Sequence, residues 1–237
     1  MAVQSVITAF KYLTILGRWR APASDPAQFN NAPLWFPLVG LAIGVVLAAI
    51  NYLLALHVDS EMLSVLVIAL LIVATGATPM AGTKNTFDSM QQSNQPAANG
   101  SAEIFGFAAI IIVTLLKVRA IDIIDDNVAA KIFLAPGLAR WALVVLLYGY
   151  HDRCEETMRP IAESTKLWHL GITTLVTLGL ATYLLGREAL WMGLAVSLLA
   201  LLSRAILHRR HAVLTQNNFG AVTDLGEALT LVLMTVL

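Results

Sequence analysis

The feature that most limits this chain is a succession of apolar runs, each close to the thickness of a bilayer. A helix needs about 20 mostly apolar residues to cross the hydrocarbon core. Runs of that kind lie at roughly 34–56, 62–79, 104–117, 128–150, 168–185, 189–207 and 219–237. The 104–117 run is short, and 128–150 carries Lys131 and Arg140, so these two are the weaker spans. Inside lipid every backbone polar group must be satisfied by the protein itself, which leaves only helices and closed barrels. No stretch shows the two-residue alternation of a barrel strand. The expected fold is therefore all-α: a polytopic membrane bundle of about six to seven transmembrane helices, forming one domain over 1–237. Composition agrees, with 58% hydrophobic residues, 13% charged and a mean hydropathy of +0.75. A soluble domain carries about 45–50% apolar and about 25% charged residues.

The first residues, MAVQSVITAFKYLTILGRWR, combine a short apolar segment with basic residues and do not read as a cleavable signal peptide. They predict an interfacial amphipathic helix, with a short first span as the lesser alternative. Lys+Arg and Asp+Glu are both 15, so no global charge points to nucleic acid. The single cysteine, Cys154, excludes an intrachain disulfide and a cysteine-based metal site. Basic residues concentrate near the N-terminus and in 80–103, 151–167 and 208–218, whereas the 57–61 turn carries Asp59 and Glu61. The positive-inside rule then places the N-terminus and the polar loops 80–103 and 208–218 in the cytoplasm of an inner-membrane protein. No inverted repeat or half-helix break of the transporter kind is legible.

Four ordered stretches carry a resemblance. WFPLVGLAIG at 35–44, LLKVRAI at 115–121, LAPGLARWALVVLL at 134–147 and FGAVTDLGE at 219–227 resemble cobalamin synthases, the adenosylcobinamide-GDP ribazoletransferases. The match covers nearly the whole chain. The resemblance implies a membrane transferase of vitamin B12 assembly that joins adenosylcobinamide-GDP to α-ribazole or its 5′-phosphate and releases GMP. It also implies a divalent metal, usually Mg2+. Phosphoryl-type chemistry of this kind depends on neutralising negative charge.

The family's acidic signature, TGGxHxDGxADTxDG, is altered here. In TGATPMAGTKNTFDSM (75–90) Thr75, Gly76, Gly82, Thr86 and Asp88 match. Pro79 stands at the histidine position, Ala81 and Asn85 at two aspartate positions, and Lys84 beside them. Residues 81, 85 and 88 share one helical face, so three carboxylates there would make a cation site. The family's DSRxGTxG reads NGSAEIFG, with Asn99 and Ser101 for aspartate and arginine. GGxTGDTxGA reads AVLTQNNFGA, with Asn217 at the aspartate, and TRLP reads TILG at 14–17. The changes remove charge and leave the scaffold.

By resemblance Asp88 is the remaining metal ligand and catalytic carboxylate, with a solvated helix-end carboxylate as the plain alternative. Lys84, Asn85, Asn217 and Arg140 are the candidate substrate-binding residues; Lys84 reads equally as a snorkelling lysine. Charges inside a span usually face the bundle interior and pair. Asp224 and Glu227 lie three apart on one helical face, so a buried network joining them to Arg140 or Lys117 is expected. No HExxH, P-loop or GxGxxG occurs. Two readings result: an impaired transferase with a weak or absent Mg2+ site, or a non-catalytic relative binding a corrinoid, a lipid or a protein. The partners implied are the bilayer and a corrinoid or nucleotide-activated substrate; a homo-oligomer is compatible, and nothing points to nucleic acid. With Cys154→Ser as background, Ser93→Cys and Gln216→Cys should both be labelled from the cytoplasm. Labelling of either from outside contradicts this topology.

Overall fold

A computed structural model describes residues 2–17, 31–92, 101–210 and 212–237. Ten α-helices occur among them: α1 (Ala2–Leu13), α2 (Ala32–Leu54), α3 (Ser60–Ala74), α4 (Thr78–Gln92), α5 (Ser101–Ile123), α6 (Val128–Leu147), α7 (Arg159–Ser164), α8 (Leu167–Leu185), α9 (Glu188–Arg209) and α10 (Gln216–Val236). Six of these are long and apolar enough to cross a bilayer: α2, α5, α6, α8, α9 and α10. The pair α3 and α4, bent by 84°, is a seventh candidate, as a broken span or a re-entrant loop. The chain is a multi-pass, all-α membrane bundle.

Charge burial follows helix position. In α6, 83% of the apolar window is buried, against 22% in α8 and 28% in α9. The helix that carries Lys131 and Arg140 is thus the centre of the bundle, and α8 and α9 turn most of their surface outward. Lys131 is held by Asp126 at 2.7 Å and by the carbonyl of Met234 at 2.8 Å, at the C-terminal end of α10. A cation there also meets the negative end of the helix dipole.

The 12 residues of α1 are too few to span. Ser5, Thr8, Ala9 and Leu13 are buried, at the spacing of one helical face. Tyr12 stacks on Phe36 and meets Phe219 edge-on. The helix thus lies against the bundle.

Three sequence expectations need correction. The 62–79 run is not one helix. Gly76 (φ 62°) and Ala77 (φ 57°) are left-handed, the Ala77 N–H donates to Ile72 O at 2.8 Å, and the Gly76 N–H donates to Val73 O. This is the Schellman pattern, which closes α3 on its own carbonyls. Helix α4 restarts at once, with Pro79 in its first turn where a missing N–H costs nothing. Second, 80–92 is therefore helix α4 and not loop; 93–100 lies outside the described residues. Third, the 104–117 run extends to Ile123, so Arg119 sits on α5. Hydropathy ends at Lys117 because a cation lowers it, but Lys117 is buried and paired, so the helix has no reason to stop.

Close packing of α2 on α6 explains the glycines of WFPLVGLAIG. A Cβ on Gly40 would lie 2.2 Å from Pro136 O, and one on Gly44 would lie 2.0 Å from Phe133 O. Small residues four apart let two backbones touch, as membrane helix pairs often require. At the other surface Cys154 and Leu214 form a short parallel backbone bridge, tying the segment after α6 to the segment before α10. Burial pushes the Cys154 thiol up to about 11, so it is a poor nucleophile at neutral pH. Gly44→Val should separate α2 from α6 and cost about 1–3 kcal/mol or more, the usual penalty for overpacking. A thermal melt in detergent measures it; an unchanged midpoint would mean that the contact is not close.

Candidate functional site

The site grows from the contact of α4 with α10. Gly82 and Gly220 face each other: a Cβ on Gly82 would lie 2.5 Å from Asn217 O and 2.7 Å from the Gly220 Cα. With the backbones this close, short polar side chains pair directly across the seam. Asn85 Nδ2 donates to Asn217 Oδ1 at 3.1 Å, and Asn218 Nδ2 donates to Thr86 Oγ1 at 3.2 Å. Thr83 Oγ1 donates to Asp224 Oδ2 at 2.7 Å. Thr215 caps α10 through a reciprocal pair with Asn218, which fixes the first turn of that helix.

Below the seam lies a charged cluster. Lys117 of α5 donates to Asp224 at 2.5 Å and to Glu227 at 2.6 Å, and Arg140 of α6 pairs with Glu227. All four side chains are at least nine-tenths buried. Two cations and two anions cancel, so the low-dielectric interior holds no net charge. This is the network expected from the sequence, with Thr83 of α4 as a further member. Four helices meet in it.

Arg140 has a second aspect. Its Nε is buried with no hydrogen-bond partner among the described residues. The side chain also lines a cavity of about 130 Å³ between α1, α4, α6 and α10, together with Tyr12, Thr78, Pro79, Ala81, Gln216 and Asn217. The N-terminal turns of α4 and α10 both reach this cavity, and helix N-termini favour anions. Tyr12 and Leu13 were not foreseen in it. The only sequence signal for them was the amphipathic pattern of α1.

Asp88 and Lys84 lie apart from that cavity. Lys84 Nζ donates to Asp88 Oδ2 at 2.8 Å, and the Gly106 backbone N–H donates to Asp88 Oδ1 at 2.7 Å. Lys84 also stands over the Phe107 ring, 4.9 Å from its centroid. Ala81 lines the cavity, Asn85 faces α10 and Asp88 faces α5, so the shared face of α4 is divided between two neighbours.

Magnesium needs carboxylate oxygens and keeps several waters. Here Ala81 offers no donor, Asn85 and Asn217 offer only neutral amides joined by one hydrogen bond, and both Asp88 oxygens are engaged. Among the described residues no group of three or more His, Cys, Asp or Glu side chains could hold a metal ion. The residues present do not fit the ion that the resemblance implies. Asn99 is outside the described residues.

Removing one partner from the buried network should strand a charge at a cost of about 3–5 kcal/mol. Arg140→Met should therefore lower the melting temperature clearly, and adding Glu227→Gln should restore part of the loss. Strictly additive losses in this double-mutant cycle would show that the groups do not interact.

Comparison with known proteins gives a consistent result. An adenosylcobinamide-GDP ribazoletransferase from Thermosynechococcus vestitus is 29% identical, with 97% of this chain and 94% of that protein covered. One from Pseudomonas paraeruginosa is 30% identical over 98% of this chain and 97% of its own length. One from Geotalea daltonii is 28% identical over 83% of each. No solved structure matches significantly. The family described as cobalamin-5-phosphate synthase matches residues 5–235, and the chain belongs to that family.

Proposed function

We propose that this chain is a cobalamin-pathway membrane transferase, related to the ribazoletransferases, whose metal-dependent transfer is impaired. The observation that carries this reading is the Asn85–Asn217 hydrogen bond at 3.1 Å. Both residues stand where the family pattern has aspartates. Two carboxylates at that separation repel unless a cation lies between them; two amides satisfy each other without one. A metal centre has been replaced by a neutral contact that keeps the same two helices together.

The remaining roles follow from the cavity. Arg140, with its unpartnered Nε, is the residue to meet a substrate phosphate, and Asn217 and Asn85 line or flank the approach. Asp88 is the one carboxylate left to serve as catalytic group or metal ligand, and its ion pair with Lys84 works against both. Lys84 itself supplies a cation for an anionic substrate only when that pair opens. The basic-residue bias places the α4 end of the bundle in the cytoplasm.

With adenosylcobinamide-GDP, α-ribazole and Mg2+, purified protein should release little or no GMP. Losing one electrostatic element of such a site typically costs about a hundred- to a thousand-fold in rate, and several are altered here. Combining Pro79→His, Ala81→Asp, Asn85→Asp and Asn217→Asp should raise Mg2+ affinity, read by calorimetry. Robust magnesium-dependent turnover by the unaltered chain overturns the proposal and makes Glu103 the first residue to test.

A second reading is favoured by the same Arg140 cavity: binding without turnover. Metal-free protein that binds adenosylcobinamide-GDP but releases no GMP would support it. A chain that neither binds nor turns over would remove it.

A further inference from the structure

The opposite end of the bundle holds a larger cavity, of about 300 Å³, lying between the end of α2, the start of α3, the end of α5 and the start of α6. Its walls are mostly apolar, with Leu63, Ile121 and Val128 among them, and three polar groups stand out. Asn51 lines the cavity and is only 7% exposed. Its carboxamide offers a ligand both an acceptor oxygen and N–H donors. Asp122 accepts from Ser60 Oγ at 2.6 Å and pairs with Arg119, whose side chain is 70% exposed. An anion that lines the cavity and an exposed cation therefore stand side by side.

The surroundings add direction. Asp59, Glu61, Asp125 and Asp126 flank the lining residues in sequence, so acids outnumber the nearby cations Arg119 and Lys131. Tyr52 belongs to the lining yet is 75% exposed, and Leu53 and Leu56 beside it are exposed as well. An aromatic ring next to bare leucines at helix ends is the composition of a headgroup-level belt.

We propose that this cavity binds the headgroup of an ethanolamine phospholipid. The ammonium is directed to Asp122 and the carboxamide of Asn51, the phosphate to Arg119, and the acyl chains run outward along Leu53 and Leu56. A primary ammonium donates hydrogen bonds to both oxygen acceptors. A choline headgroup has no N–H to give, and a glycerol headgroup brings no cation.

Native mass spectrometry of the full chain, equilibrated with ethanolamine and choline phospholipids of identical acyl chains, tests this. Roughly five-fold enrichment of the ethanolamine lipid is expected, the discrimination of about one net hydrogen bond. Asp122→Asn should reduce it to parity. Arg119→Gln, at an exposed position with little risk to folding, should lower retention of both lipids. Equal binding in the unaltered chain overturns the proposal, as does a preference that survives Asp122→Asn in protein with an unchanged melt. Displacement of the lipid by equimolar soluble phosphoethanolamine also overturns it, because the site would then take a free amine and not a lipid.

Discussion

A charge inside a bilayer must meet its opposite, and in this protein that requirement decides which helices are neighbours. Lys117, Arg140, Asp224 and Glu227 come from α5, α6 and α10, and Thr83 adds α4. None of the four ions could stay buried alone, so the helices that carry them cannot drift apart independently. The centrality of α6 follows, because Lys131 also reaches the end of α10, where it bonds to the Met234 carbonyl. The glycine contacts of α2 on α6 and of α4 on α10 then bring the backbones close enough for short side chains to pair. Ionic pairing selects the partners, and small residues set the distance.

The same logic separates what this chain keeps from what it changes. The paired ions, the glycines and the Schellman turn all support the bundle and are all in place. Of the differences from the family pattern, Pro79, Ala81 and Asn217 line one cavity and Asn85 bonds to Asn217 beside it. Each exchange leaves its neighbour satisfied: asparagine faces asparagine, and Lys84 takes the carboxylate of Asp88. The bundle therefore depends on no bound cation at that cavity for its cohesion.

Much of the fold was legible from residue pattern, because lipid allows so few solutions. The spans, the short N-terminal helix and the burial of Arg140 and Lys117 against the acids at 224 and 227 all follow from hydropathy and helical spacing. Two boundaries did not. The end of α5 was misjudged because hydropathy treats Lys117 as polar wherever it is, while its cost is cancelled by acids more than a hundred residues away in sequence. The break after α3 was written in TGATP, a glycine in the C′ position followed by a proline suited to a first helical turn, but the apolar run masked it. At the site, the positions of Asn85 and Asn217 were identified separately; that they touch is a fact of the α4–α10 crossing, which no local spacing encodes. Tyr12 belongs to the same class.

On the function proposed above, the Asn85–Asn217 contact also bears on how a metal centre is lost or regained. Asparagine and aspartate codons differ by a single base, so each position is one mutational step from the other residue. A mixed pair, aspartate facing asparagine, still makes a hydrogen bond, since the amide donates to the carboxylate. Neither intermediate strands a polar group at the seam. Each single-step intermediate therefore keeps a hydrogen bond between α4 and α10.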